Sequence, residues 1–364
     1  MNPIYVTRPS MPPFEEYIEE IRELWQTKWI SNSGAKHKSF RTRLSETLDA
    51  KNISLFSNGH MALEVAIGAF EFPQGGEVIT TAYTFCSTTH CIVRNNLTPV
   101  FCDINENDLT INAEEIKRHI TEKTVAIVAT HVYGLVCNIK EIEKIARQYN
   151  LKVIYDAAHA FGVTVGGKGI ANWGDACMFS CHATKVFNTV EGGITVFNDD
   201  TVYSKIESLI NFGFNGPEVV RFIGPNARMN EFAAAMGLCN LRHFDEELAK
   251  RKRVADRYNE RLSDIKGIRL LQAQPNVTQN HSYYIAFFDG YSKSRDEIQK
   301  ELSQDNIFAR KYFYPMITKL DCYRKYAHIQ IPITKKASDT VLALPMYADL
   351  TVDDVDMICD IILR

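Results

Sequence analysis

Phe179-Ser180-Cys181-His182-Ala183-Thr184-Lys185, followed by Glu191-Gly192-Gly193-Ile194, is the stretch on which the fold turns. The apolar run Ala176-Cys177-Met178-Phe179 reads as a buried strand. A polar loop then carries one lysine, and a glycine pair turns the chain back into another strand. Working outward, short apolar runs alternate with amphipathic stretches from about residue 53 to 200. Glu77–Thr80, Pro99–Phe101, Val125–Thr130, Lys152–Tyr155 and Cys177–Phe179 read as strands. Met61–Phe70, Ala113–His119 and Ile139–Tyr149 read as helices, the last with Ile139, Ile142, Ile145 and Ala146 on one face. Such alternation predicts an α/β fold, a mostly parallel central sheet sandwiched by helices. Ligands of these sheets gather at the carboxyl ends of the strands, where the lysine loop lies.

Helical signals continue from about Glu231 to Ser263. Beyond them, Ser282–Phe288 reads as a strand, and Ser294–Ser303 and Val352–Leu363 as helices. This predicts a large domain over 1–240, including an N-terminal segment with a helix from Phe14 to about Lys28, and a smaller α+β domain over 241–364. A chain of 364 residues is long enough for both. Its net charge of −3 gives no reason to expect a nucleic-acid partner. No run is long enough for a membrane span, and Met1-Asn2-Pro3-Ile4 does not begin a secretory leader. Nine scattered cysteines suit reduced thiols in the cytoplasm better than a disulfide framework. Cys86, His90 and Cys91 do not share a helix face, so no metal site is expected.

An ammonium withdrawn from water among small polar groups is costly unless the amine is used. One use for Lys185 is a Schiff base to an aldehyde cofactor, pyridoxal 5'-phosphate. The other reading is a solvated surface lysine, and Lys185 alone does not separate the two. Asp156 ends the strand Lys152-Val153-Ile154-Tyr155. It is either a helix N-cap or a carboxylate that keeps a pyridine nitrogen protonated. His159 follows on the next turn, either structural or facing the cofactor. Ser57-Asn58-Gly59-His60-Met61 opens a helix after an apolar run, and such a start can seat a phosphate on free N–H groups, with Ser180 adding a hydroxyl. Phe85, after the strand ending near Thr80, can stack on a flat ring or fill the core. No G-x-G-x-x-G follows an early strand, which argues against a nicotinamide cofactor.

Together these motifs resemble the DegT/DnrJ/StrS family of pyridoxal-phosphate-dependent sugar aminotransferases, of the type I aminotransferase fold. The resemblance runs from Trp29-Ile30-Ser31-Asn32-Ser33-Gly34 to Leu344-Pro345-Met346-Tyr347. It is carried most strongly by Asp156-Ala157-Ala158-His159-Ala160-Phe161-Gly162, by Phe179 to Gly193, and by Asn226-Ala227-Arg228-Met229-Asn230-Glu231. It implies that Lys185 holds the cofactor and Asp156 pairs with its ring nitrogen. His159 would take the place often held by glutamine near the phenolic oxygen, and Phe85 would stack on the ring. Gly59, the backbone of His60, and Ser180 would hold the phosphate, with Asn226 reaching it from the neighbouring subunit of a homodimer. The chain departs from the family pattern at His60, often threonine, at Cys181, often aromatic, and at Val186, often asparagine. Relatives that replace the lysine with histidine are dehydratases, and Lys185 argues against that branch.

The resemblance further implies transfer of an amino group from L-glutamate to C4 of a nucleotide-linked 4-keto-6-deoxy sugar, with the pyridoxamine form of the cofactor between half-reactions. The N-terminal pattern Val6-Thr7-Arg8-Pro9-Ser10 points to dTDP-4-keto-6-deoxy-D-glucose as the acceptor, in O-antigen biosynthesis. Arg310, Tyr312 and Tyr314 are candidates for the nucleotide end, because a guanidinium suits a diphosphate, or else they pack the domains together. The alternatives are another ketosugar position, stereochemistry or nucleotide, and a pyridoxal-phosphate-binding regulator without turnover.

Overall fold

The computed structural model describes residues 2–364. At its centre is a seven-stranded sheet. Its spatial order is Asn52–Phe56, Gly193–Phe197, Ala176–Ser180, Lys152–Asp156, Thr124–Thr130, Glu77–Thr81, Thr98–Cys102. Gly193–Phe197 runs antiparallel to both its neighbours, and every other pairing in the sheet is parallel. The strands are apolar on both faces because helices cover both. Alternate residues of one strand therefore enter different cores. Ile127, Val153 and Tyr155 face one, packed under Phe40, Leu44, Ile116 and Ile142. Val128, Ile154 and Met178 face the other, under Leu63, Ala66, Ile92 and Ile206. The apolar stripe of Ile139–Tyr149 is buried as its periodicity predicts.

The C-terminal part holds a second antiparallel sheet, with Tyr284–Phe288 between Ile268–Leu270 and Val341–Leu344. Helices Phe244–Leu262, Arg295–Gln304 and Val352–Leu363 close over it, sharing a core of Val254, Tyr258, Ile298, Leu302, Ile358 and Ile362. The N-terminal segment, grouped with the large domain in the sequence, begins elsewhere. Ile4–Tyr5 pairs in parallel with Ile307–Phe308, and Ile4 is buried in the C-terminal core. Further along, Ile21 and Leu24 of helix Phe14–Thr27 pack on Ala235 of helix Glu231–Arg242.

The helical signal from Glu231 to Ser263 is two helices, Glu231–Arg242 and Phe244–Leu262, broken at His243. Asp245, Glu246 and Glu247 fill the first turn of the second, where carboxylates favour a helix N-terminus. Phe244 anchors the break by packing edge-on against Phe161 and Phe187.

Candidate active site

The carboxyl edge of the parallel strands brings Asp156, Ser180 and the Gly59 helix start together. Asp156 ends one strand and Ser180 the next, while Gly193 pairs with both Ser180 and Phe56, just before the turn to Gly59. Asn58 caps helix Gly59–Ala69, its side chain accepting from the Met61 N–H at 2.9 Å and its carbonyl from the Ala62 N–H at 3.1 Å. Among the described residues, that leaves the Gly59 and His60 N–H groups without an acceptor, beside the Ser180 hydroxyl. A Cβ on Gly59 would stand 2.7 Å from the Ser180 Cβ, so only glycine leaves the cradle open. His60 turns its ring away, with Nδ1 against Ser87 Oγ at 2.8 Å and Nε2 against Glu64 at 3.2 Å. Its backbone, not its side chain, faces the cradle.

Asp156 is buried, with one oxygen accepting from the Thr88 hydroxyl at 2.6 Å and the other from the Ala158 N–H at 3.1 Å. Burial pushes its pKa above the usual carboxylate range, while Thr88, Ala158 and the charge of Lys185 pull it down. His159, three residues on, is also buried. Its Nδ1 accepts from the Tyr133 N–H at 3.0 Å, so a neutral ring carries its proton on Nε2. Burial, with the nearby Lys185 charge, holds its pKa well below the usual histidine range, so the ring is neutral. It lies nearly parallel to Phe313 at 5.9 Å between centroids, and Tyr283 stands edge-on at 5.0 Å.

Lys185 is half-buried, on a loop closed by Cys181 N–H to the Gly192 carbonyl at 2.8 Å and Thr189 N–H to the Cys181 carbonyl at 2.9 Å. Its charge acts on both Asp156 and His159, lowering the pKa of each. Phe85 is 59% exposed, at the start of helix Cys86–Arg94. It lines a cavity of about 420 Å³ together with Arg310, Lys311, Tyr312 and Tyr314. The Arg310 backbone is fixed by reciprocal hydrogen bonds to Ala343 at 3.0 and 2.7 Å. The cations of Arg295 and Lys311 lie over the Tyr314 ring. Asn226 stands apart and exposed, its side chain accepting from Arg228 at 3.3 Å. Cys91 faces His60, and His90 faces the Tyr323 hydroxyl.

Sequence reasoning missed Thr88, the partner of Asp156, and Tyr133, whose backbone sets the His159 tautomer. A threonine inside a helical stretch carries no signal of its own. The spacing of Thr84 and Thr88 was the only available hint. The donor set fits a phosphorylated pyridine aldehyde. It offers an anion cradle, a buried carboxylate for a protonated ring nitrogen, a neutral imidazole and an amine.

A sequence profile of the DegT/DnrJ/EryC1/StrS aminotransferase family matches residues 14–363. A dTDP-4-amino-4,6-dideoxy-D-glucose transaminase of Shigella dysenteriae is 41% identical over 98% of this chain and 97% of its own. The crystal structure of DesI in the presence of its TDP-sugar product superposes with a TM-score of 0.94 at 31% identity, covering 100% of this chain and 92% of that one. The PLP-form of a putative sugar aminotransferase, Spr1654 of Streptococcus pneumoniae, gives a TM-score of 0.90 at 25% identity over 97% and 96% of the two chains. The architecture is that of the type I aminotransferases, and the chain belongs to the DegT/DnrJ/EryC1/StrS aminotransferase family.

Proposed function

We propose that this chain transfers the amino group of L-glutamate to C4 of dTDP-4-keto-6-deoxy-D-glucose, releasing 2-oxoglutarate and dTDP-4-amino-4,6-dideoxy-D-glucose. This reading is supported by the buried Asp156 and His159, both under the influence of the Lys185 charge, and by the open Gly59 cradle beside Ser180, in a chain that is similar over nearly its whole length to a transaminase named for that sugar. Aminotransferases of this family depend on pyridoxal phosphate, and we assign the cofactor to these residues. When bound, it supplies a carbonyl for the incoming amine and an electron-withdrawing ring.

The chain's own residues do the rest. The Gly59 and His60 N–H groups and the Ser180 hydroxyl hold the phosphate at the positive end of a helix. Asp156, as the carboxylate, keeps the ring nitrogen protonated. His159 offers its Nε2–H to the phenolic oxygen. Phe85 covers a ring face. The Lys185 amine, once released, takes the proton from the amino donor's α-carbon and, in the second half, delivers one to C4 of the sugar. Arg310 and Lys311, in the cavity next to Phe85, suit the diphosphate, and Tyr312 and Tyr314 give flat surfaces for the rest of the nucleotide.

A homodimer belongs to the same proposal. Asn226 lies on a segment rich in exposed apolar side chains, Phe212, Val220 and Ile223 among them, and the adjacent Ala227 carbonyl accepts from the Ser57 N–H at 2.7 Å. A second copy covering that surface would put Asn226 within reach of a phosphate. Nine free thiols suit a reducing compartment, so we place the enzyme in the cytoplasm, supplying an amino sugar for surface polysaccharide such as O-antigen.

The test incubates the protein with glutamate and dTDP-, UDP- and GDP-linked 4-ketosugars, with product stereochemistry read by NMR. The expected product carries an equatorial C4 amine on the dTDP sugar. The Lys185→Ala variant should lose at least about a hundredfold in turnover. Wild-type turnover by that variant, or no product from any ketosugar, would overturn the reading.

A further inference from the structure

The carboxylate of Asp156 is the end point of a buried chain of hydroxyls. Thr88 Oγ1 donates to Asp156 Oδ2 at 2.6 Å. Thr84 Oγ1 stands 3.0 Å from Thr88 Oγ1, and Thr130 Oγ1 lies 3.2 Å from Thr84 Oγ1. Thr88, Thr84 and Thr130 are 0%, 3% and 2% exposed, so bulk water does not partner these groups. Three elements supply them. Thr84 precedes helix Cys86–Arg94, Thr88 lies within it, and Thr130 is the register partner of Asp156 on the adjacent strand.

Hydroxyls have one proton each, and this fixes the direction of the chain. An ionised carboxylate only accepts, so the Thr88 proton is committed to Asp156. Thr88 must then accept from Thr84, and Thr84 from Thr130. Every proton points toward Asp156. Were Asp156 a neutral acid with its proton on Oδ2, that proton would confront the Thr88 donor, and the chain would have to reverse or leave a buried hydroxyl unpaired. The other oxygen is tied to the Ala158 N–H, so both oxygens are pinned and the carboxyl plane is fixed.

We propose that Thr88 is a positioning residue for Asp156. Backed by Thr84 and Thr130, it keeps that carboxylate ionised and oriented toward the protonated ring nitrogen of the cofactor. The inference rests on the cofactor reading above. It answers a conflict within the site. Burial drives Asp156 toward the neutral acid, and a neutral acid cannot hold a pyridinium. The titratable groups whose charges bear on it are the Lys185 amine and the buried thiols of Cys91, Cys137 and Cys177. Of these, Lys185 is the one cation acting on Asp156, and it is exchanged in the reaction. The hydroxyl chain is there throughout.

Pyridoxamine 5'-phosphate is the suitable probe, because it carries the ring nitrogen and phosphate but forms no bond to Lys185. Its Kd for the cofactor-free protein is measured by calorimetry from about pH 5 to about pH 9, where carboxyl ionisation controls binding at the acid end. Thr88→Val should weaken binding about tenfold at neutral pH, the usual effect of losing a hydrogen bond to a charged group. Without its donor, Asp156 ionises at higher pH, so the acid limb should move upward. Thr88→Ser should stay within about twofold of wild type. On an Asp156→Asn background, Thr88→Val should add less than about twofold, because the group it serves is gone. Wild-type affinity and acid limb in Thr88→Val would overturn the proposal. So would a Thr88→Ser variant as impaired as Thr88→Val, which would show that shape rather than the hydroxyl matters. Failure of the wild-type protein to bind the probe would instead overturn the cofactor reading itself.

Discussion

At the scale of single residues, the anion cradle depends on what Gly59 lacks. A methyl group there would lie 2.7 Å from Ser180 Cβ, 2.9 Å from its Oγ and 3.0 Å from its Cα. Two of these atoms are fixed by the end of a sheet strand, so the helix start has to move. Gly59→Ala should therefore keep its fold but bind pyridoxamine 5'-phosphate about tenfold or more weakly, read by cofactor retention after dialysis. Unchanged retention would show that the cradle is not the phosphate seat. Gly59, Asp156 and Lys185 could be picked out in the sequence because each stands next to the end of an apolar run, although each alone also had an ordinary structural reading. His60 was harder. Its imidazole stands where the family often has a hydroxyl, and only the structure shows that it pairs with Ser87 and Glu64. Thr88 was not legible, since its role depends on a contact with a residue 68 positions away.

At the scale of elements, two motifs far apart in the chain become one joint. Glu231 is fully buried at the start of helix Glu231–Arg242. Its carboxylate accepts from the Gly34 and Lys36 N–H groups at 2.8 Å each and from the His37 N–H at 3.3 Å. It thus caps helix Ala35–Leu48, whose own N-cap, Gly34, has no side chain to offer. Trp29 to Gly34 and Asn226 to Glu231 could be recognised as motifs, but no periodicity reveals that one caps the other. Glu231→Ala leaves three donors at a buried helix end and should cost about 2–4 kcal/mol, seen as a lower urea midpoint. Glu231→Gln, with one acceptor oxygen in place of two, should fall between. A wild-type midpoint for Glu231→Ala would mean that water satisfies the helix start. Strand and helix positions around the seven-stranded sheet were readable from apolar runs because both sheet faces are buried. The break at His243 was not, because both flanking segments have helical character and the fixing contact, Phe244 on Phe161 and Phe187, is long-range.

At the scale of the whole molecule, the exposed apolar surface is uneven. Ile223 is fully exposed, Val220 is 58% exposed and Phe212 45%, all on the connection between helices Asp200–Leu209 and Glu231–Arg242. Exposed apolar side chains on the connection that carries Asn226 are what the proposed homodimer contact would cover. The same connection carries Asn226, and at Ala227 it is bonded to the backbone of Ser57, one turn from the cradle. Dimer formation and cofactor binding are therefore expected to be coupled. A charge at Ile223 tests this without touching the cradle or any residue that faces Lys185. Ile223→Asp places an unpaired carboxylate in the middle of the proposed contact, and burying it would cost several kcal/mol. The wild type is expected to sediment as a dimer and the variant, at the same concentration, as a monomer that has lost affinity for pyridoxamine 5'-phosphate. The affinity should return as protein concentration is raised, since mass action restores the missing neighbour. A variant that stays dimeric would move the interface elsewhere. A monomer that binds the probe as tightly as wild type would show that each subunit completes its own phosphate site, and Asn226 would then have no part in it.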